Sequence, residues 1–193
     1  MKSTGHKLLA IASCMLLLAG CINAPPKWRA VNDPQYSVPK QGYAVKLPAG
    51  WIEQATRDSS AMAISFNGLD LESIVISRQD NDEIFKPLHK EAKPDELPAD
   101  LAADFIALVK TQTAPGLQVV TNEPASVGGK SGFHVVAEFS TDTGLHYRSE
   151  AYGVCTQYGF YTLSYRAPVL YYFDQYHPAF KAVADSFRLI PMQ

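Results

Sequence analysis

The chain has 193 residues, of which 47% are hydrophobic and 19% charged, and its formal net charge is −2. That length suits one domain with a substantial core, and the mildly acidic balance excludes a basic nucleic-acid surface and a polybasic membrane contact. No zinc-spaced Cys/His set, Walker loop, Gly-x-Ser-x-Gly elbow or His-Glu-x-x-His motif is present, so no motif asks for a cofactor or marks an enzyme.

The N-terminus carries Lys2 and Lys7 and no acid before an apolar run from Leu8 to Ala19. A run of about a dozen residues is too short for an ordinary membrane-spanning helix, which needs roughly 20, and it has the layout of a secretory signal peptide over residues 1–20. Its end, Leu18-Ala19-Gly20-Cys21, resembles the lipobox of bacterial lipoproteins. The resemblance implies that the Cys21 thiol receives a diacylglyceryl group, that the signal is cut before it, and that the new amino group is acylated. Membrane lipid would then hold the protein, each buried acyl methylene contributing ~0.8 kcal/mol. Ile22 stands where an Asp would retain an enteric-type lipoprotein at the inner membrane, so the resemblance points to the outer membrane, facing the periplasm. Losing Lys2 and Lys7 takes the net charge of residues 21–193 from −2 to −4.

Residues 21–41 read as the lipidated cysteine and a tether, with Pro25, Pro26, Pro34 and Pro39 along it. The globular domain is expected over residues 42–193. Tyr43, Val45 and Leu47 alternate as a strand, broken by Pro48-Ala49-Gly50 before Trp51. Ala61 to Gly68 and Glu72 to Gln79 read as two more strands around the turn signal Asn67-Gly68-Leu69-Asp70. The connection from Asp80 to Glu96 includes the acidic run Asp80 to Glu83, which lacks the calcium-loop spacing and reads as a solvated loop.

Pro98 fits the first turn of a helix whose Leu101, Phe105, Leu108 and Val109 share a face, with Asp100, Asp104 and Lys110 elsewhere. After a strand in Leu117 to Pro124, Gly132 to Ala167 reads as three consecutive strands in a meander, with turns near Asp142-Thr143-Gly144 and Gln157-Tyr158-Gly159. The closing segment has Phe180, Val183, Ala184 and Phe187 at helical spacing, with Pro178 expected in the first turn. Two helices and about six to seven strands make an α+β domain, an antiparallel sheet flanked by helices.

Three stretches, "GYAVKLPAGW" (42–51), "YGFYTLSYRAP" (158–168) and "YHPAFKAVADSFRL" (176–189), resemble in this order the PsbP-like fold group. The resemblance rests on framework residues: Pro48, Gly50, Trp51, Ser186 and Phe187. It implies an α/β/α sandwich, and a role in binding or assembling other proteins. No functional residue carries over from it.

Two residue clusters are candidate sites. If Phe139 pairs with Leu145, one face of the meander carries His134, Glu138, His146, Arg148 and Glu150, with His134 opposite Glu150 and Glu138 opposite His146. Two histidines and two glutamates there could ligate a divalent metal or do acid/base work; the competing reading is a solvated face of cross-strand charge pairs, each worth ~0.2–1 kcal/mol. The second cluster is aromatic. Tyr158, Tyr165, Tyr171, Tyr172 and Tyr176, with Phe160, Tyr161 and Phe173 among them, suit either the core or a protein interface. Cys155 is expected to be a buried, inert thiol.

The sequence therefore reads as a lipid-anchored periplasmic envelope protein, a non-catalytic binding or assembly module with a protein partner. The alternative is a small metal-binding protein or enzyme using the His/Glu face. A hydrophobic ligand between sheet and helices is a third reading.

Overall fold

The structure is a computed structural model that describes residues 27–55, 60–113 and 116–193. The signal segment, the lipobox and Cys21 lie outside the described residues.

Among the described residues, eleven strands form two antiparallel sheets. In chain order they are β1 (Lys27–Ala30), β2 (Gln35–Val38), β3 (Tyr43–Lys46), β4 (Ile52–Ala55), β5 (Ala61–Ser65), β6 (Ser73–Gln79), β7 (Gln118–Val127), β8 (Lys130–Ser140), β9 (His146–Thr156), β10 (Gly159–Pro168) and β11 (Arg188–Leu189). The helices are α1 (Asn81–Ile84), α2 (Pro98–Gln112) and α3 (Tyr172–Ser186). The large sheet has eight strands in the order β1-β4-β5-β6-β10-β9-β8-β7, and the small one has three in the order β11-β3-β2. The α+β sandwich expected from the sequence is the architecture observed.

Strand alternation sorts the large sheet's side chains into two cores. One face sends Ile64, Ile74, Ile76, Leu163, Tyr165 and Val154 toward α3 and the small sheet, whose Phe180, Val183, Phe187, Tyr43 and Val45 complete the layer. The other sends Phe133, Val135, Cys155 and Phe160 against Phe85, Leu101 and Leu108 of the α1–α2 segment. Ser186 Oγ stitches α3 to the small sheet: it accepts from the Lys46 N–H at 2.8 Å and donates to the Val183 carbonyl at 2.8 Å.

Several details differ from the sequence reading. Much of the supposed tether is folded: β1 pairs with β4, and β2 pairs with β3. Pro34 and Pro39 flank β2, and Pro39 heads the 3-10 turn Pro39–Gln41, positions where a missing N–H breaks no ladder. Gly42 ends that turn at φ 72°, and a Cβ there would stand 2.8 Å from Met192 Cγ and 2.9 Å from Tyr161 Oη, so side chain and conformation together require glycine. The Asp80–Glu83 run is not a loop; Asp80 precedes α1, where buried Ile84 and Phe85 draw the chain onto the sheet. Asp104 is buried rather than on an outer face, and Lys90 pairs with it.

Pro178 lies inside α3, not in its first turn. The helix starts six residues earlier, at Tyr172, because buried Phe173 anchors its first turn as Phe180 and Val183 anchor the rest. The missing N–H leaves only the carbonyl of Asp174, an exposed residue, without its helical donor.

The β8–β9 register places Phe139 opposite Tyr147, two residues from the pairing assumed from sequence. The connecting loop closes through the Thr141 N–H to the Leu145 carbonyl at 2.9 Å, with Gly144 at φ 81°, and so excludes Leu145 from the strand. A slip of two preserves the faces, since side chains alternate with period 2.

Candidate functional site

The His/Glu face is real, and it lies where β8 and β9 meet α3. In the observed register His134 is opposite Tyr152 and Glu138 opposite Arg148. The pairs expected from sequence are made diagonally instead. His134 Nε2 is 3.0 Å from Glu150 Oε1, and His146 Nε2 is 3.1 Å from Glu138 Oε2.

Two residues that sequence reasoning missed complete the first group. Glu123 on β7 places Oε1 2.9 Å from His134 Nδ1, and His177 on α3 places Nε2 2.7 Å from Glu150 Oε2. A protonated His134 thus donates from both ring nitrogens, and each Glu150 oxygen faces one imidazole. The His134 ring stacks on Tyr152 at 4.5 Å, and Lys181 lies 5.1 Å from the Tyr152 ring centre while donating to its hydroxyl at 3.2 Å. The hydrogen bond to Glu150 raises the His134 pKa above its ordinary value, overcoming burial, with Glu123 adding to the rise. Burial pushes the Glu150 carboxyl up, but His134 and His177 outweigh it and hold the group below the usual carboxylate range.

The second group is separate. Arg148 binds Glu138 Oε1 from Nη2 at 2.7 Å and from Nε at 2.8 Å, while His146 takes the other oxygen. Arg148 and then His146 lower the Glu138 pKa. The four candidate ligands therefore split into two ion-pair groups. Among the described residues, no set of three or more His, Cys, Asp or Glu side chains is placed to hold a metal ion.

Neither added member was visible locally. Glu123 comes from a neighbouring strand, and His177 reaches the sheet only because α3 starts at Tyr172.

The aromatic candidates also divide. Tyr165 is fully buried, its hydroxyl donating to the carbonyls of Tyr172 and Phe173 at 3.0 Å, and so is core rather than interface. Tyr158 is half-exposed in the β9–β10 turn, at the opposite end of the sheet. Tyr171, Tyr172 and Tyr176 come together. The Tyr171 and Tyr172 rings lie 5.2 Å apart, and Tyr176, one turn along α3, lies 5.5 Å from Phe66 of the β5–β6 turn.

Beside this ridge stand two of the three most exposed large apolar side chains of the described residues, Leu170 at 85% and Tyr171 at 65%. Tyr171 holds φ 73° and ψ −55°, and the Tyr172 N–H donates to the Leu170 carbonyl at 2.9 Å. This is a γ-turn of the rare left-handed kind, strained for a residue with a Cβ. Leu145, 43% exposed, is adjacent, since the Val169 N–H bonds the His146 carbonyl. The result is an apolar, aromatic tip at one end of the sheet.

A further buried carboxylate shapes this end. Glu72 accepts from Ser65 Oγ at 3.1 Å, from the Phe66 N–H at 2.8 Å, from the Asn67 N–H and from Asn67 Nδ2 at 3.1 Å. It fixes the turn that presents Phe66. Cys155 is buried, which pushes its thiol pKa up to about 11, with Glu96 and Asp95 adding to the rise. No helix among the described residues is long and apolar enough to cross a membrane.

No protein-family model matches the chain, and a search of characterised protein sequences found no match. Solved structures do match. The cyanobacterial PsbP protein CyanoP of Synechocystis sp. PCC 6803 superimposes with a TM-score of 0.56 at 18% identity, over 89% of this chain and 98% of that one. The Ran-binding protein Mog1p of Saccharomyces cerevisiae gives 0.55 at 11% identity, over 83% of this chain and 96% of that one. At such identities the likeness establishes the fold alone, and that fold is PsbP-like.

Proposed function

We propose that this protein is a lipid-anchored component of the bacterial envelope, held at the outer membrane through Cys21, and that it acts without catalysis by binding or helping to assemble a protein partner. The observation that carries the binding role is the tip: Leu170 and Tyr171 are held in solvent on a strained turn, next to Tyr172, Tyr176 and Phe66. Exposed apolar patches rimmed by polar residues suit protein contact, and tyrosine is enriched in such interfaces. One fold relative, Mog1p, is described as Ran-binding, which shows that this scaffold can serve as a protein-binding module.

Chain direction supports the anchored arrangement. β1 pairs Lys27 with Ala55 and Ala30 with Ile52, and Ile52 pairs with Ser65 beside the β5–β6 turn. The chain thus runs toward the tip as it enters the sheet, and Lys27 faces away from it. Five residues separate Cys21 from Lys27, a reach of at most ~20 Å, which would hold the far end toward the bilayer and leave the tip free. The metal or acid/base alternative at His134 and His146 is disfavoured because both oxygens of Glu150 and both of Glu138 are already paired.

The test is site-specific photocrosslinking in cells, on the full-length protein, with the photoreactive residue at position 171 or 158. A single partner captured from position 171, absent from 158 and lost with Leu170→Ser or Cys21→Ser, is the expected result. Capture from both positions alike, or from neither, would overturn the assignment.

A further inference from the structure

The opposite face of the sheet holds a feature that the binding role does not use. α2 crosses over β8, with Phe105 packed on Phe133 at 5.2 Å. Beyond it the sheet floor is made of Ala137, Ser149, Ala151, Ser164 and Val75, which the pairings β8–β9, β9–β10 and β10–β6 set side by side. These short side chains cannot reach α2, so a cavity of about 410 Å³ stays open between helix and sheet. That is within the roughly 300–1,000 Å³ of small-ligand sites. Protein interiors otherwise pack to crystal density, and a void forfeits the contacts its lining would make.

Its walls are mostly apolar, from Phe105, Val109, Val135 and Phe139, with the polar Gln79, Gln112 and Thr162 also on the lining. One charged group stands on the lining: Arg166, exposed, with its guanidinium 5.6 Å from the Tyr147 ring centre. Among the described residues Arg166 makes no ion pair, whereas Arg29, Arg78 and Arg148 each do. An arginine without an acid, aimed across an aromatic face at the edge of an apolar trough, complements an apolar chain ending in a carboxylate.

We propose that this trough binds a single-chain anionic amphiphile of the long-chain fatty-acid class, its chain between α2 and the sheet and its carboxylate on Arg166. The site lies on the sheet face away from the His134 group and stands independently of the tip's role.

The test uses the full-length protein in phosphatidylcholine nanodiscs and a palmitate bearing a mid-chain diazirine. After photolysis, labelled peptides are mapped by mass spectrometry. Labelling is expected to concentrate on the peptides holding Phe105–Val109 and Val135–Phe139. Unlabelled palmitate should compete at least tenfold better than hexadecanol, which lacks the charge. Ser164→Phe, which fills the floor, should cut labelling at these peptides at least tenfold, and the surface change Arg166→Gln should weaken palmitate competition about tenfold without unfolding the protein. Label scattered over the surface, equal competition by hexadecanol, or labelling indifferent to both substitutions would overturn the proposal.

Discussion

Glu150 is the hinge pin of the α3–sheet contact, and its removal should be felt most at mildly acidic pH. Its side chain is 5% exposed, and it joins His134, 14% exposed, to His177, 33% exposed. A hydrogen bond to a charged group contributes about 1.5–3 kcal/mol, and solvent screening at His177 lowers its share. Glu150→Gln keeps the shape and loses the charge, so a loss of about 2 kcal/mol is expected at pH 5.5. The folded His134 pKa lies above its unfolded value near 6.5, so the folded state holds the extra proton over the interval between them. That stabilisation is complete below about 6.5 and disappears as pH rises through the folded value. The Glu150 pKa is lowered, so its contribution is present above the unfolded value near 4.5 and is lost as pH falls through the folded one. The two together peak between about 4.5 and 6.5. Urea unfolding of the wild type and Glu150→Gln at pH 5.5 and pH 9 measures this: the difference should shrink toward about 1 kcal/mol at pH 9, in the direction in which the raised His134 loses its proton. A difference equal at both pH values, or larger at pH 9, would refute the charged bridge, as would a His134→Gln/Glu150→Gln cycle with a coupling below about 0.5 kcal/mol.

Glu72→Ala should lose about 3–5 kcal/mol in the same assay, because it strands four donors around a fully buried site, while Glu72→Gln should lose clearly less. Cys155 should resist iodoacetamide at pH 8 in the folded protein, labelling at under about a tenth of the free-thiol rate, and become reactive on unfolding; rapid native labelling would contradict its burial. Tyr171→Gly should relieve the positive-φ turn and raise stability by about 1 kcal/mol, net of glycine's backbone entropy, while weakening partner capture. A loss of stability there would show that the tyrosine is held by packing rather than kept in solvent.

What the sequence disclosed and what it concealed divide along a physical line. Period-2 alternation from Gly132 to Ala167 exposed the meander and both of its faces, and those faces survive because the register error was an even number of residues. The same alternation could not show that Glu123 would lie beside His134, since that depends on a neighbouring strand's register, nor that His177 would reach Glu150. Proline's preference for the first turn points to a helix start at Pro178, yet the burial of Phe173 carries α3 six residues past that preference. The short strands β1 and β2 were hidden by their prolines, as four-residue strands carry little pattern of their own.

The tyrosines show the same limit from the functional side. Composition gathered Tyr158, Tyr165, Tyr171, Tyr172 and Tyr176 into one cluster; the fold sends one to the far turn and one to the core, and leaves three beside Leu170. Residue type predicts that a tyrosine will be used at a boundary between apolar and wet surroundings. Only topology decides which boundary. Here one boundary is the sheet–helix core that Tyr165 closes, and another is the solvent at a tip facing away from where the chain enters. The turn that makes the second boundary is strained, and its Leu170 and Tyr171 side chains stand in solvent while Tyr172 turns back to the core, which is the arrangement the proposed contact surface requires.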